Sequence, residues 1–137
     1  MNLAQLKADL IADEGSRLKP YRDTVGKVSI GIGRNLTDVG ISPDEEDLMY
    51  RNDVQRVMSE LDRALPWWNT LPEPAARVLA NMTFNMGLGG ILQFKTTLQE
   101  LREHRFKDAA DSLSHSAVAR QLPNRYKRLC DLLRSIP

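Results

Sequence analysis

The strongest constraint on this chain is a helix start at Ser42-Pro43-Asp44-Glu45. Serine is a favoured N-cap, proline is pre-shaped for the first helical position, and a glutamate three residues after the cap can return a hydrogen bond to it. Leu48, Met49, Val54, Val57, Met58, Leu61 and Leu65 then recur at helical spacing as far as Pro66. The spacing predicts a connecting helix over about 42–65. At roughly 20 residues it is long for a small protein and suited to joining two lobes.

The segments on either side differ in kind. Before Ser42, Leu3, Leu6, Leu10 and Ile11 lie at helical spacing, and Gly15 supplies a stop. Val28, Ile30 and Ile32 then alternate with Ser29, Gly31 and Gly33, which predicts a short hairpin turning near Val25–Gly26. Glycines on one face of such a strand let another group come close. After Pro66 the patterns are helical. One helix opens at Pro72–Pro74, carries Ala75, Val78, Leu79 and Met82, and is expected to end at Gly87, Gly89 and Gly90. Shorter helices are expected near 96–103, 106–114 and 124–135. The fold class is therefore α+β, mostly α, with a small N-terminal β-hairpin lobe and a larger helical lobe joined by the long helix. A single domain over 1–137 would comprise the hairpin lobe at about 14–40, the connecting helix at about 42–65, and a helical lobe formed by about 66–137 with the N-terminal helix.

Composition removes several function classes. Cys130 is the only cysteine, so neither an internal disulfide nor a cysteine-based metal cluster is available. His104 and His115 are spaced too widely for an ordinary ligand pair. Gly31-Ile32-Gly33 lacks the third glycine of a dinucleotide loop, since Leu36 stands there. No apolar run is long enough to cross a membrane, and the N-terminus reads as no signal peptide. Net charge is +1, with acidic residues gathered between Asp38 and Asp62 and basic ones from Lys95 onward. Arg125, Lys127 and Arg128 surround Tyr126, but a solvated helix face explains them better than a nucleic acid does. Trp67 and Trp68 at a helix junction read as packing anchors, and Cys130 as a small core residue.

Chemistry concentrates in the first forty residues. Glu14 falls at the end of the first helix, Asp23 nine residues later before the hairpin, and Ser29 six residues after that on a strand. Glycoside hydrolysis needs one carboxyl that delivers a proton and one that stays ionised. The negative end of a helix dipole suits Glu14 to holding a proton, and burial would add to this. Asp23, beside Arg22 and near Lys19, is suited to remaining ionised, and a hydroxyl at Ser29 could hold water beside it. Spacing alone does not make the pair catalytic, because most acidic pairs nine residues apart are solvated surface groups.

The run EGSRLKPYRDTVGKVSIGIGRNL, Glu14 to Leu36, resembles the active-site signature of phage-type lysozymes, glycoside hydrolase family 24. That signature is Glu, eight residues, Asp or Cys, five residues, then Thr, followed by an IGxG strand. NMTFNMGLGG from Asn81 and QLPNRYKRL from Gln121 resemble later parts of the same family. The resemblance implies hydrolysis of the β-1,4 bond between N-acetylmuramic acid and N-acetylglucosamine, with Glu14 as acid, Asp23 as base or stabiliser and Ser29 as water holder. It implies inversion, and with it a carboxylate separation of roughly 6.5–9.5 Å. It also implies supporting or substrate-binding roles for Arg34, Leu36, Asn85 and Arg125, the last by pairing with Glu14. No metal or cofactor is implied. The implied partner is the glycan strand of bacterial peptidoglycan, with no nucleic acid and no membrane insertion. The implied setting is an endolysin, monomeric, made in the host cytoplasm and reaching the wall in the periplasm through a separate holin-like protein. A virion-borne or prophage-derived role is the variant of that reading, and a domain that binds peptidoglycan without cutting it is the alternative. Three positions depart from the family pattern: Ser29 replaces Thr, Arg34 stands where other members have His, and Val118 where many have Trp.

Overall fold

The computed structural model describes residues 1–137 and has the mostly helical α+β class expected. The chain divides into two compact units, Met1–Met49 and Tyr50–Pro137.

The first unit opens with α1 (Leu3–Glu14). Asn2 caps its start by accepting a hydrogen bond from the Gln5 N–H at 2.9 Å. Gly15 stops it at φ +80°, its N–H donating to the Ile11 carbonyl. No α1 residue is buried, so the stripe of Leu3, Leu6, Leu10 and Ile11 faces solvent. Three antiparallel strands follow: β1 (Arg17–Arg22), β2 (Val28–Gly31) and β3 (Arg34–Asn35), in that spatial order. The strand expected to run on to Gly33 stops at Gly31, and the chain turns back through Ile32–Gly33 into β3. Between Arg17 and Tyr21 the β1–β2 register shifts. Pro20 lies in that irregular stretch, where its missing N–H costs the ladder little.

The second helix, α2 (Pro43–Ala64), begins with the capping arrangement its sequence predicts. The Ser42 N–H donates to Glu45 Oε1 at 2.8 Å, and the Glu45 N–H donates to Ser42 Oγ at 3.2 Å.

The second unit continues through a single 3₁₀ helix (Pro66–Thr70) into α3 (Glu73–Ile91), α4 (Lys95–Arg102), α5 (Phe106–Ser114), α6 (Ala117–Gln121) and α7 (Pro123–Arg134). α5 packs on α4 and α7, and α7 also packs on α3 and α6. Val78, Leu79 and Met82 of α3 are fully buried, with Leu101, Leu113 and Leu133. Trp68 is buried and its indole N–H donates to Asp62 at 2.7 Å, which anchors the junction after Pro66. Cys130 is a buried core thiol, raised above its ordinary pKa by desolvation. The expected end of the third helix at its glycines is corrected: Gly87 breaks the helical geometry (φ +77°, ψ 166°), but the chain resumes helical turns to Ile91. One glycine leaves its own residue non-helical without removing the packing that holds the next turn, and Ile91 is buried there.

Candidate active site

Glu14, Asp23 and Ser29 line one cavity of the first unit, of about 520 Å³, together with Arg17, Tyr21, Arg22, Thr24, Gly33 and Asn35. Each element brings one of the three. Glu14 is the last residue of α1, Asp23 opens the β1–β2 turn, and Ser29 lies on the central strand.

Asp23 holds the turn together. Its Oδ1 accepts from the backbone N–H groups of Val25 (3.0 Å) and Lys27 (2.9 Å), and its own N–H donates to the Lys27 carbonyl. Both side-chain bonds fall on one oxygen and fix the carboxylate's direction. The Arg22 guanidinium donates to the Gly26 carbonyl at 3.1 Å and closes the same turn. The cationic neighbour expected beside Asp23 is thus committed to the backbone.

Ser29 pairs across the sheet with Tyr21 on one side and Asn35 on the other. It is 5% exposed, the only buried residue of the sheet. No buried side-chain oxygen lacks a partner, and the Ser29 hydroxyl makes no bond to protein, so that oxygen opens into the cavity. A β-strand of alternating character buries one face, and here that face carries the serine.

Glu14 is exposed, so the burial expected to help it hold a proton is absent. Its side chain lies against Gly33. A Cβ at Gly33 would stand 3.1 Å from Glu14 Cγ and Oε2. The glycine expected to admit a close approach therefore admits the candidate acid. Gly33 also has φ +68°, a left-handed conformation that other residues adopt at a cost.

The supporting residues lie elsewhere. Arg34 donates from Nη1 to Glu45 Oε1 and to the Gly40 carbonyl, and its Nη2 lies 2.8 Å from Glu45 Oε2. That two-pronged pair ties β3 to the start of α2. The Arg34 hydrogen bond, followed by those from Ser42, lowers the Glu45 carboxyl to about 2. The arginine is a brace outside the cavity. Leu36 is half-buried, its N–H donating to the Val28 carbonyl, and does not line the cavity. In the second unit Asn85 Oδ1 accepts from the Tyr126 hydroxyl at 2.8 Å. Arg125 donates from Nε and Nη2 to Asn81 Oδ1, at 3.0 and 2.8 Å, rather than to a carboxylate.

Spacing does not single out Arg17, Tyr21 and Asn35, although all three stand in the Glu14–Leu36 run that carries the resemblance. The Arg17 guanidinium sits over the Tyr21 ring, 4.6 Å from its centroid. Asn35 is turned toward Asp38, donating to it at 3.0 Å, and Lys27 pairs with the same carboxylate at 2.6 Å. No three metal-ligating side chains converge anywhere in the chain. The cavity's chemistry is that of two carboxylates, two guanidinium groups, the hydroxyls of Ser29, Thr24 and Tyr21, and the Asn35 amide.

Residues 12–128 match the family model described as phage lysozyme. The chain is 27% identical to the probable T4-type lysozyme 2 of Dictyostelium discoideum, over 93% of this chain and 92% of that protein. It is 24% identical to probable T4-type lysozyme 1 of the same organism, over 96% and 94%. It is 28% identical to the pre-baseplate central spike protein Gp5 of Enterobacteria phage T4, over 82% of this chain and 25% of that protein.

Proposed function

The chain belongs to the phage lysozyme family, and from that premise we propose that it is a muramidase whose acid is Glu14 and whose water is held by Asp23 and Ser29. The observation that carries the reading is the gathering of these three side chains around one cavity. As a lysozyme the protein is a glycosidase that acts on peptidoglycan. The finer proposal is cleavage of the β-1,4 bond on the reducing side of N-acetylmuramic acid.

In the proposed reaction the Glu14 carboxyl gives its proton to the glycosidic oxygen as the bond from that oxygen to C1 breaks. Water supported by the Ser29 hydroxyl attacks C1 from the opposite face, and Asp23 takes the proton that the water loses. The glycan gains one water across the broken bond, and a final proton return from Asp23 to Glu14 through solvent resets the site. The fixed direction of Asp23 and the open hydroxyl of Ser29 support these roles, because water must be held before it can be activated. Attack from the opposite face inverts the anomeric carbon. The whole chain acts as one phage-type lysozyme domain in this reading. Arg34 serves it by bracing β3, and Asn85 and Arg125 by supporting the helical part.

The biological setting proposed is lysis of an infected bacterium, with release to the wall through a separate membrane protein. A second reading, a wall-piercing component of the virion, is favoured by the similarity to the central spike protein. Mass spectrometry of purified particles separates them: a lysis enzyme is absent from washed virions, and a spike component is present in fixed copy number.

The test of activity is clearing of chloroform-treated Gram-negative cells by the wild type, Glu14→Gln and Asp23→Asn. Clearing by the wild type with loss in both variants supports the reading. Clearing that survives Glu14→Gln removes Glu14 as acid. A folded wild type that binds the wall and clears nothing makes the protein a non-catalytic peptidoglycan binder.

A further inference from the structure

Arg17 is a cation in the catalytic cavity without a carboxylate or carbonyl partner. It shares the cavity with Glu14 and Asp23, yet it is in ion-pair contact with neither. Its neighbour Arg22 is committed to the Gly26 carbonyl, and Arg34 is committed to Glu45 and Gly40. What holds Arg17 is the Tyr21 ring beneath it, at 4.6 Å. Such a contact orients a guanidinium while leaving its N–H groups free to donate.

The backbone explains how both residues come to one place. Arg17 is opposite Gly31 and Tyr21 opposite Ser29, so β1 spends four residues where β2 spends two. Irregularities of this kind re-aim side chains beside active sites. Gly31 has no side chain across from Arg17, and nothing stands within 4 Å of where one would be.

A fixed, planar cation with unused donors is built to take a planar anion. We propose that Arg17 is a specificity residue that binds a carboxylate carried by the muramic acid residue of the substrate. This rests on the part of the muramidase reading that takes the glycan of peptidoglycan as ligand, not on its cleavage. The carboxylate has two possible sources with the same chemistry: the lactyl group of a peptide-free muramic acid, or the peptide arm attached to it.

The test is binding, which requires no turnover. Three fragments are titrated into the wild type, Arg17→Gln and Arg17→Lys by calorimetry: the peptide-free disaccharide with its free lactyl carboxylate, the tetrapeptide-bearing disaccharide, and that fragment with its carboxylates methyl-esterified. The wild type should bind one of the carboxylate forms about tenfold more tightly than the ester, as one charge-assisted contact at an open site allows. Arg17→Gln should erase that preference, and Arg17→Lys should keep part of it. The fragment that loses affinity identifies the source. The proposal is overturned if the wild type shows no preference, if the preference survives in Arg17→Gln, or if that variant weakens acid and ester alike. A protein that shows the Arg17 effect and cuts no glycan would retain this inference and lose the hydrolase reading.

Discussion

Replacing Gly33 or Gly31 by alanine separates a backbone cost from a positioning cost. Both glycines have φ +68°, so alanine at either meets the same left-handed penalty, about 1–2 kcal/mol. At about 4 °C for each kcal/mol in a chain of this size, both variants should melt about 4–8 °C below the wild type. Their surroundings differ. A Cβ at Gly31 meets nothing within 4 Å, whereas one at Gly33 stands 3.1 Å from Glu14 Cγ and Oε2 and 3.2 Å from its Cβ. Ordinary contact begins near 3.4 Å, so the exposed and flexible Glu14 side chain gives way by a few tenths of an ångström. If a misplacement of about 1 Å costs a hundredfold in rate, a third of that costs about fivefold. Initial rates on soluble peptidoglycan, well below either melting point, should show kcat for Gly33→Ala about fivefold under that of Gly31→Ala. Equal rates in the two variants would refute the claim that Gly33 exists to seat Glu14.

Ser29→Ala should leave the melting temperature nearly unchanged, because the hydroxyl holds no protein group, and should lower kcat by about 10–100-fold through the loss of a water ligand; calorimetry and initial rates read the two quantities. The Arg34–Glu45 brace should be pH-dependent. Glu45 is lowered to about 2 in the fold from an ordinary 4.5, so its stabilisation is fully present above pH 4.5 and is lost as pH falls through about 2. Melting curves of the wild type and Glu45→Gln should therefore differ at neutral pH and converge between pH 4.5 and 2. Tyr126→Phe removes the donor to Asn85 Oδ1 from a residue that is 1% exposed, and should cost about 1 kcal/mol in chemical denaturation.

Much of the fold was legible because local signals agreed with one another. Ser42, Pro43 and Glu45 announce the start of α2, and both capping hydrogen bonds close there. Phe106–Ser114 forms the helix its spacing predicts. The parts that escaped are those too short to show a period: β3 with two residues, α6 with five and the 3₁₀ helix with five. These are set by neighbours, as when Ser29 and Ile30 pair with Asn35 and Arg34. In the candidate site, the family motif brought out Glu14, Asp23 and Ser29, which line one cavity, but their surroundings could not be read from it. That Arg34 turns away to Glu45, that Arg22 closes a turn, and that Arg17 stays open depend on which acceptor each long side chain reaches in space. Sequence distance does not encode this. Arg34 and Glu45, eleven residues apart, form a tight pair, while Arg17 and Glu14, three apart, form none.

The most direct measurement is mass spectrometry of fragments released from purified peptidoglycan by the wild type and by Glu14→Gln. The expected result is fragments ending in reducing N-acetylmuramic acid from the wild type and none from the variant. Fragments ending in N-acetylglucosamine, an anhydro sugar at the new end, or full release by Glu14→Gln would contradict a muramidase that hydrolyses with Glu14 as its acid.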